Sequence, residues 1–117
     1  MDKKPILVSA LVNGVATSQA LIDSGCLVYG IVSNRFVRRH QLSCVQIRPR
    51  ALQSVEGISK DAVSQIVSVN LDIGGHQQKQ VYLYVVPKIE GYEMILGKAW
   101  LRKEQAILDA EKGCLVF

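Results

Sequence analysis

Long apolar runs, paired cysteines and aromatic side chains are all scarce in this 117-residue sequence, and each scarcity excludes a class of protein. No run approaches the roughly 20 apolar residues that a membrane-spanning helix needs. The Asp2-Lys3-Lys4 start, followed by Pro5 and a short alternating segment, is unlike a signal peptide, so no membrane partner is expected. Three cysteines, Cys26, Cys44 and Cys114, are odd in number and lack CxxC spacing, which argues against a disulfide framework or a zinc site and for reduced thiols in an intracellular compartment. His40 and His76 have no third partner at ligand-like spacing and read as surface histidines, so no metal is expected. Aromatic residues make up 6% of the chain and do not interleave with Arg35, Arg38, Arg39, Arg48 and Arg50. The net charge of +4 therefore reads as a solvated basic face, with no direct nucleic-acid binding expected.

What is present is globular: 49% apolar and 21% charged residues, enough for one packed domain over residues 1–117. Ile6 to Val12 and Val15 to Ile22 flank Asn13-Gly14, a dipeptide suited to the two positive φ angles of a type I′ hairpin turn. Cys26 to Val32 is a further apolar run, and Ser33 is placed to cap a short helix over Asn34–Arg39. Leu52 to Val63, punctuated by Gly57 between polar residues, suits an exposed hairpin tip. Val67, Val69, Leu71 and Ile73 alternate with Ser68, Asn70 and Asp72, the pattern of a half-buried strand. Gly74-Gly75 turns the chain, Gln77 to Val86 returns as a strand, and Pro87 ends it. A short buried strand at Met94-Ile95-Leu96-Gly97, a helix over Lys98–Lys103 with Trp100 in the core, and closing strands at Ala106-Ile107-Leu108 and Cys114 to Phe117 complete the chain.

The chemistry concentrates at Ala20-Leu21-Ile22-Asp23-Ser24-Gly25, an apolar strand that runs into a carboxylate, a hydroxyl and a glycine permitting close backbone approach. By average usage such a triplet arises by chance in roughly one chain in twenty of this length, so it is weak alone. Its company strengthens it: a glycine-tipped segment, Ser54-Val55-Glu56-Gly57-Ile58, and then Tyr92-Glu93-Met94-Ile95-Leu96-Gly97-Lys98-Ala99-Trp100-Leu101 and Ala106-Ile107-Leu108-Asp109. In order and spacing these segments resemble the retropepsin family, specifically the aspartic proteases of gypsy-type retrotransposons, over nearly the whole chain.

The resemblance implies an all-β, retropepsin-like acid protease fold: a closed, barrel-like subunit with one or two short helices, working as a symmetric homodimer. It implies that Asp23 is catalytic, that Ser24 locks two active-site loops together, and that Gly25 admits the substrate backbone. Cys26, Leu27, Ile95 and a flap of Glu56, Gly57 and Ile58 would contact substrate, and the terminal strands would pair between subunits. The other aspartates, Asp2, Asp61, Asp72 and Asp109, lack the Ser/Thr-Gly sequel, so a second carboxylate must come from a second copy across a two-fold axis. The implied function is a homodimeric aspartic endopeptidase that cleaves a polyprotein by an activated water, without a cofactor, in the cytoplasm or a virus-like particle. Cys26 stands where the family usually has alanine, and Leu27 and Val28 replace acidic or small polar residues. These departures keep open an alternative, a catalytically idle dimerisation or peptide-binding module, such as one embedded in a ubiquitin-shuttle protein.

Overall fold

The computed structural model describes residues 6–26, 28–51, 63–109 and 111–117, and among these the chain alternates strand and turn to build nine strands and two one-and-a-half-turn helices. Leu27 and the flap expected at Glu56, Gly57 and Ile58 lie outside the described residues. The first hairpin joins β1 (Ile6–Val12) to β2 (Ala16–Ile22). Asn13 and Gly14 take φ of 52° and 72°, as a type I′ turn requires, and the Asn13 side chain accepts from the Asn70 amide at 2.8 Å, which pins the tip to a later strand. The second strand begins one residue later than its apolar run, because Val15 is the last residue of the turn and is 86% exposed.

β3 (Gly30–Ser33) leads into α1 (Asn34–Arg39), whose first turn is capped by the Ser33 hydroxyl accepting from the Phe36 amide at 3.1 Å. β4 (Cys44–Arg50) was not legible in the sequence, being exposed along most of its length and containing Pro49. It lies outside the barrel and, among the described residues, pairs only with β5 (Val63–Ile73), with an irregularity between Gln46 and Arg50, the place where a proline is tolerated. A two-residue turn at Gly74-Gly75 leads to β6 (His76–Val86). β7 (Met94–Leu96), α2 (Lys98–Lys103), β8 (Ile107–Asp109) and β9 (Cys114–Val116) follow.

Strands β1-β2-β7-β3-β6-β5 are neighbours in that order, and β5 returns to pair with β1 through Ala10↔Ile73 and Val12↔Leu71, so six strands close on themselves. Inward-facing Ala10, Val12, Ala20, Val67, Val69, Leu71, Val81 and Leu83 fill the barrel, and Phe36 and Trp100 pack in from the helices. Trp100 is fully buried and its indole N–H donates to Gln78 Oε1 at 3.0 Å; the Gln78 amide in turn donates to the His76 carbonyl at 2.9 Å. Among the described residues no buried side-chain polar atom lacks a partner. The two C-terminal strands form their own ladder within the chain, Ile107↔Val116 to Asp109↔Cys114.

The order of the strands positions the site. β7 is parallel to β2, with Ile22 beside Leu96, and antiparallel to β3, with Gly30 beside Leu96. The connection over residues 23–29 must therefore cross the C-terminal end of β7, carrying Asp23-Ser24-Gly25 over Gly97.

Candidate active site

Backbone hydrogen bonds hold the crossing segment on three sides. The Asp23 amide donates to the Leu96 carbonyl at 3.0 Å, the Gly97 amide to the Tyr29 carbonyl at 2.9 Å, and the Lys98 amide to the Cys26 carbonyl at 2.8 Å. A tight turn closes the loop, with the Cys26 amide donating to the Asp23 carbonyl at 3.0 Å. Approach is so close at Gly97 that a Cβ there would collide with the Val28 carbonyl oxygen and lie 2.6 Å from the Cys26 carbonyl oxygen. Only glycine fits beneath this loop.

The Asp23 carboxylate is half-buried, and its Oδ1 accepts from the Gly25 amide at 2.9 Å. That contact is an Asx turn, which fixes the side chain as well as the loop. Oδ2 has no hydrogen-bond partner among the described residues, and Ser24 and Gly25 are exposed beside it. A Cβ on Gly25 would stand 3.2 Å from Asp23 Oδ1, so this glycine too leaves room for the carboxylate.

Beneath the loop lies a second apolar cluster, Cys26, Ile31, Val63, Val86, Ile89 and Ile95, with Val28 and Tyr84 packed against it. Within the single chain Cys26 is 0% and Ile95 5% exposed, so both sit under the aspartate, with little surface facing outward. Burial pushes the Cys26 thiol above its ordinary value, the Asp23 charge pushes the same way, and a backbone hydrogen bond at Val28 partly offsets them. Cys26, Cys44 and Cys114 are all unpaired thiols.

Ser24 also borders an open, largely apolar groove formed by Leu101, Ala106, Ile107 and Leu108, with Ile107 65% exposed. His76, read from the sequence as a plain surface residue, is half-exposed and engaged. Its Nε2 lies 2.8 Å from Glu104 Oε1, and its ring stacks on Phe117 with centroids 3.9 Å apart. Pairing across 28 residues of sequence leaves no local signal. No group of three or more metal-ligating side chains occurs among the described residues, and no described helix is long and apolar enough to cross a membrane.

A closed six-stranded barrel with an Asp-Ser-Gly loop laid over an Ile-Leu-Gly strand defines a retropepsin-like protease domain. The sequence profile of the PEG10/RTL1 protease domain matches residues 19–117, and the chain belongs to that family. Two solved structures agree with the fold. The retroviral protease-like domain of Ddi1 from Leishmania major superposes with a TM-score of 0.73 at 18% identity, covering 99% of this chain and 90% of that one. EIAV protease, solved with the inhibitor HBY-793, superposes with a TM-score of 0.61 at 19% identity, covering 91% of this chain and 93% of that one. No curated protein sequence matches the chain.

Proposed function

We propose that the chain is one subunit of a homodimeric aspartic endopeptidase in which Asp23 of each copy supplies half of the catalytic dyad. The observation that carries this reading is the Asp23 carboxylate itself: one oxygen is oriented by the Gly25 amide and the other has no partner among the described residues, in a loop anchored to β7 with Ser24 and Gly25 exposed beside it. Two carboxylates brought within about 3 Å cannot both ionise, so the pair holds one proton; one member draws a proton from water and the other protonates the amide. The apolar groove beside Ser24 supports pairing at this end of the barrel. In this reading Ser24 ties the two loops together and Gly25 admits the substrate backbone. Leu27, Glu56, Gly57 and Ile58 contact the peptide, while Cys26 and Ile95 shape the floor from beneath. The substrate is a polyprotein.

The test is turnover of a pooled peptide library by purified protein at mildly acid pH, with and without a statine inhibitor. Statine-sensitive cleavage is expected, and its absence at concentrations where the protein sediments as a dimer would overturn the enzymatic reading. A second reading, an idle dimerisation or peptide-binding module, draws on the apolar Cys26-Leu27-Val28 sequel and on the likeness to a protease-like domain. Dimerisation without turnover would favour it.

A further inference from the structure

We propose that the cleft between α1, β2 and the β6–β7 connection binds an extended acidic peptide segment of a partner protein. The cleft encloses about 480 Å³. Arg35 and Arg39, one helical turn apart on α1, line one side, Lys88 stands on the connection, and Thr17 to Gln19 of β2 form the other wall. Two of the five arginines that read as a plain solvated face in the sequence, Arg35 and Arg39, thus line a concavity.

Two independent features define the ligand. The first is charge: Arg35, Arg39 and Lys88 outnumber Glu93, the one carboxylate in the lining, which is held by the Ser33 hydroxyl donating to its Oε2 at 2.8 Å. The one ion pair among the described residues is His76 with Glu104, so Arg35, Arg39 and Lys88 have no carboxylate partner there. The second is backbone. β2 pairs along its whole length with β1, but on its other side it meets β7 only over Ala20–Ile22. Among the described residues the edge at Thr17–Gln19 therefore faces the cleft with no strand beside it, and its one further hydrogen bond among them is the Gln19 carbonyl accepting from the Ser18 hydroxyl at 3.2 Å.

An extended chain laid along that edge continues the sheet. Its alternate side chains stand about 6.7 Å apart, close to the roughly 5–6 Å between Cβ atoms one helical turn apart. Two carboxylates at alternate positions thus meet two guanidiniums, a geometry in which arginine makes paired charged hydrogen bonds. Nucleic acid fits less well, because Phe36 is buried and Tyr92 packs against the second apolar cluster, leaving His40 as the one further ring in the lining, short of the successive platforms on which bases stack. The cleft lies at the opposite end of β7 from Asp23, about 13–20 Å back along β2 at strand rise, so its occupancy is independent of the peptidase reading.

Fluorescence anisotropy with a labelled peptide of alternating Glu and Val tests the proposal. Saturable binding below about 1 mM is expected, weakening at least about tenfold in Arg35→Glu/Arg39→Glu. Amide shifts on binding should centre on Thr17–Gln19 and α1 and leave Asp23–Gly25 unmoved. Lys88→Glu, away from the helix, repeats the test if the double variant fails to fold. Equal affinity for the lysine counterpart, tighter binding of a single-stranded oligonucleotide, unchanged affinity in both variants, or no saturable binding would each overturn the proposal.

Discussion

Placing one methyl group at position 97 is the sharpest test of how the aspartate loop is held. In Gly97→Ala the new Cβ collides with the Val28 carbonyl and comes within 2.6 Å of the Cys26 carbonyl, both backbone atoms of the loop carrying Asp23. Neither can swing aside as a side chain would. The loop must lift, which strains or breaks the Gly97–Tyr29 and Lys98–Cys26 hydrogen bonds of 2.9 and 2.8 Å. Two backbone bonds at about 1 kcal/mol each and overpacking of about 1–3 kcal/mol total about 3–5 kcal/mol. Restricting the unfolded chain returns about 0.4–1 kcal/mol, leaving a net loss of about 3 kcal/mol. Gly97 has φ of −102°, so backbone preference contributes nothing and the effect is steric.

Trp100 is the one tryptophan and is fully buried, so its fluorescence follows urea unfolding. With a slope near 2 kcal/mol/M the midpoint should fall by about 1.5 M. Gly14→Ala supplies the contrast: open space around it but φ of 72°, hence a loss of about 1–2 kcal/mol from backbone strain alone. A Gly97→Ala midpoint within about 0.3 M of the parent would refute the close-packed loop.

Three further outcomes are expected. Asp23→Asn should lower peptidase turnover by at least about 10²-fold while sedimentation and the urea midpoint stay unchanged, since shape is kept and the proton carrier is lost. Trp100→Phe should cost about 1–3 kcal/mol in urea unfolding, because the buried Gln78 carbonyl oxygen loses its donor; an unchanged midpoint would mean that water takes its place. Cys26 should be the last of the three thiols alkylated in the native protein, being fully buried with its thiol pushed above 9.0. Because the folded form holds that proton more tightly, its contribution is complete below the ordinary thiol range and fades as pH rises above about 9, where the urea midpoint should decline.

Local signals were the legible ones. Asn13-Gly14, the Ser33 cap and the alternation through Val67–Ile73 each act over a few residues, and each reappears in place. β4 escaped notice because an edge strand outside the barrel needs no apolar face, and its polar residues and Pro49 hide it. The Trp100–Gln78 and His76–Glu104 pairs join residues 22 and 28 positions apart, and no spacing rule reaches that far. The same is true of the α1–β2 cleft, whose cations come from separate elements. Asp23 was visible as a motif, but its support by Leu96 and Gly97 follows from β7 being inserted between β2 and β3, a non-consecutive strand order that only the fold supplies.

That insertion also bears on why, in the proposed dimeric enzyme, one chain alone would leave the chemistry unfinished. From below, Cys26, Ile31, Val86 and Ile95 exclude water and present no charge to the carboxylate. From within the loop, the Gly25 amide occupies one oxygen. Whatever polarises the second oxygen must therefore approach from the exposed side, where Ser24 and Gly25 stand clear and the groove around Ile107 leaves apolar surface uncovered. A second copy meeting the first on that side would cover the groove and bring its own free carboxylate oxygen to the same place, so burying apolar area and assembling the proton-sharing pair would be one event. Catalysis should then follow the dimer fraction as protein concentration is varied, the signature of a site assembled only by association.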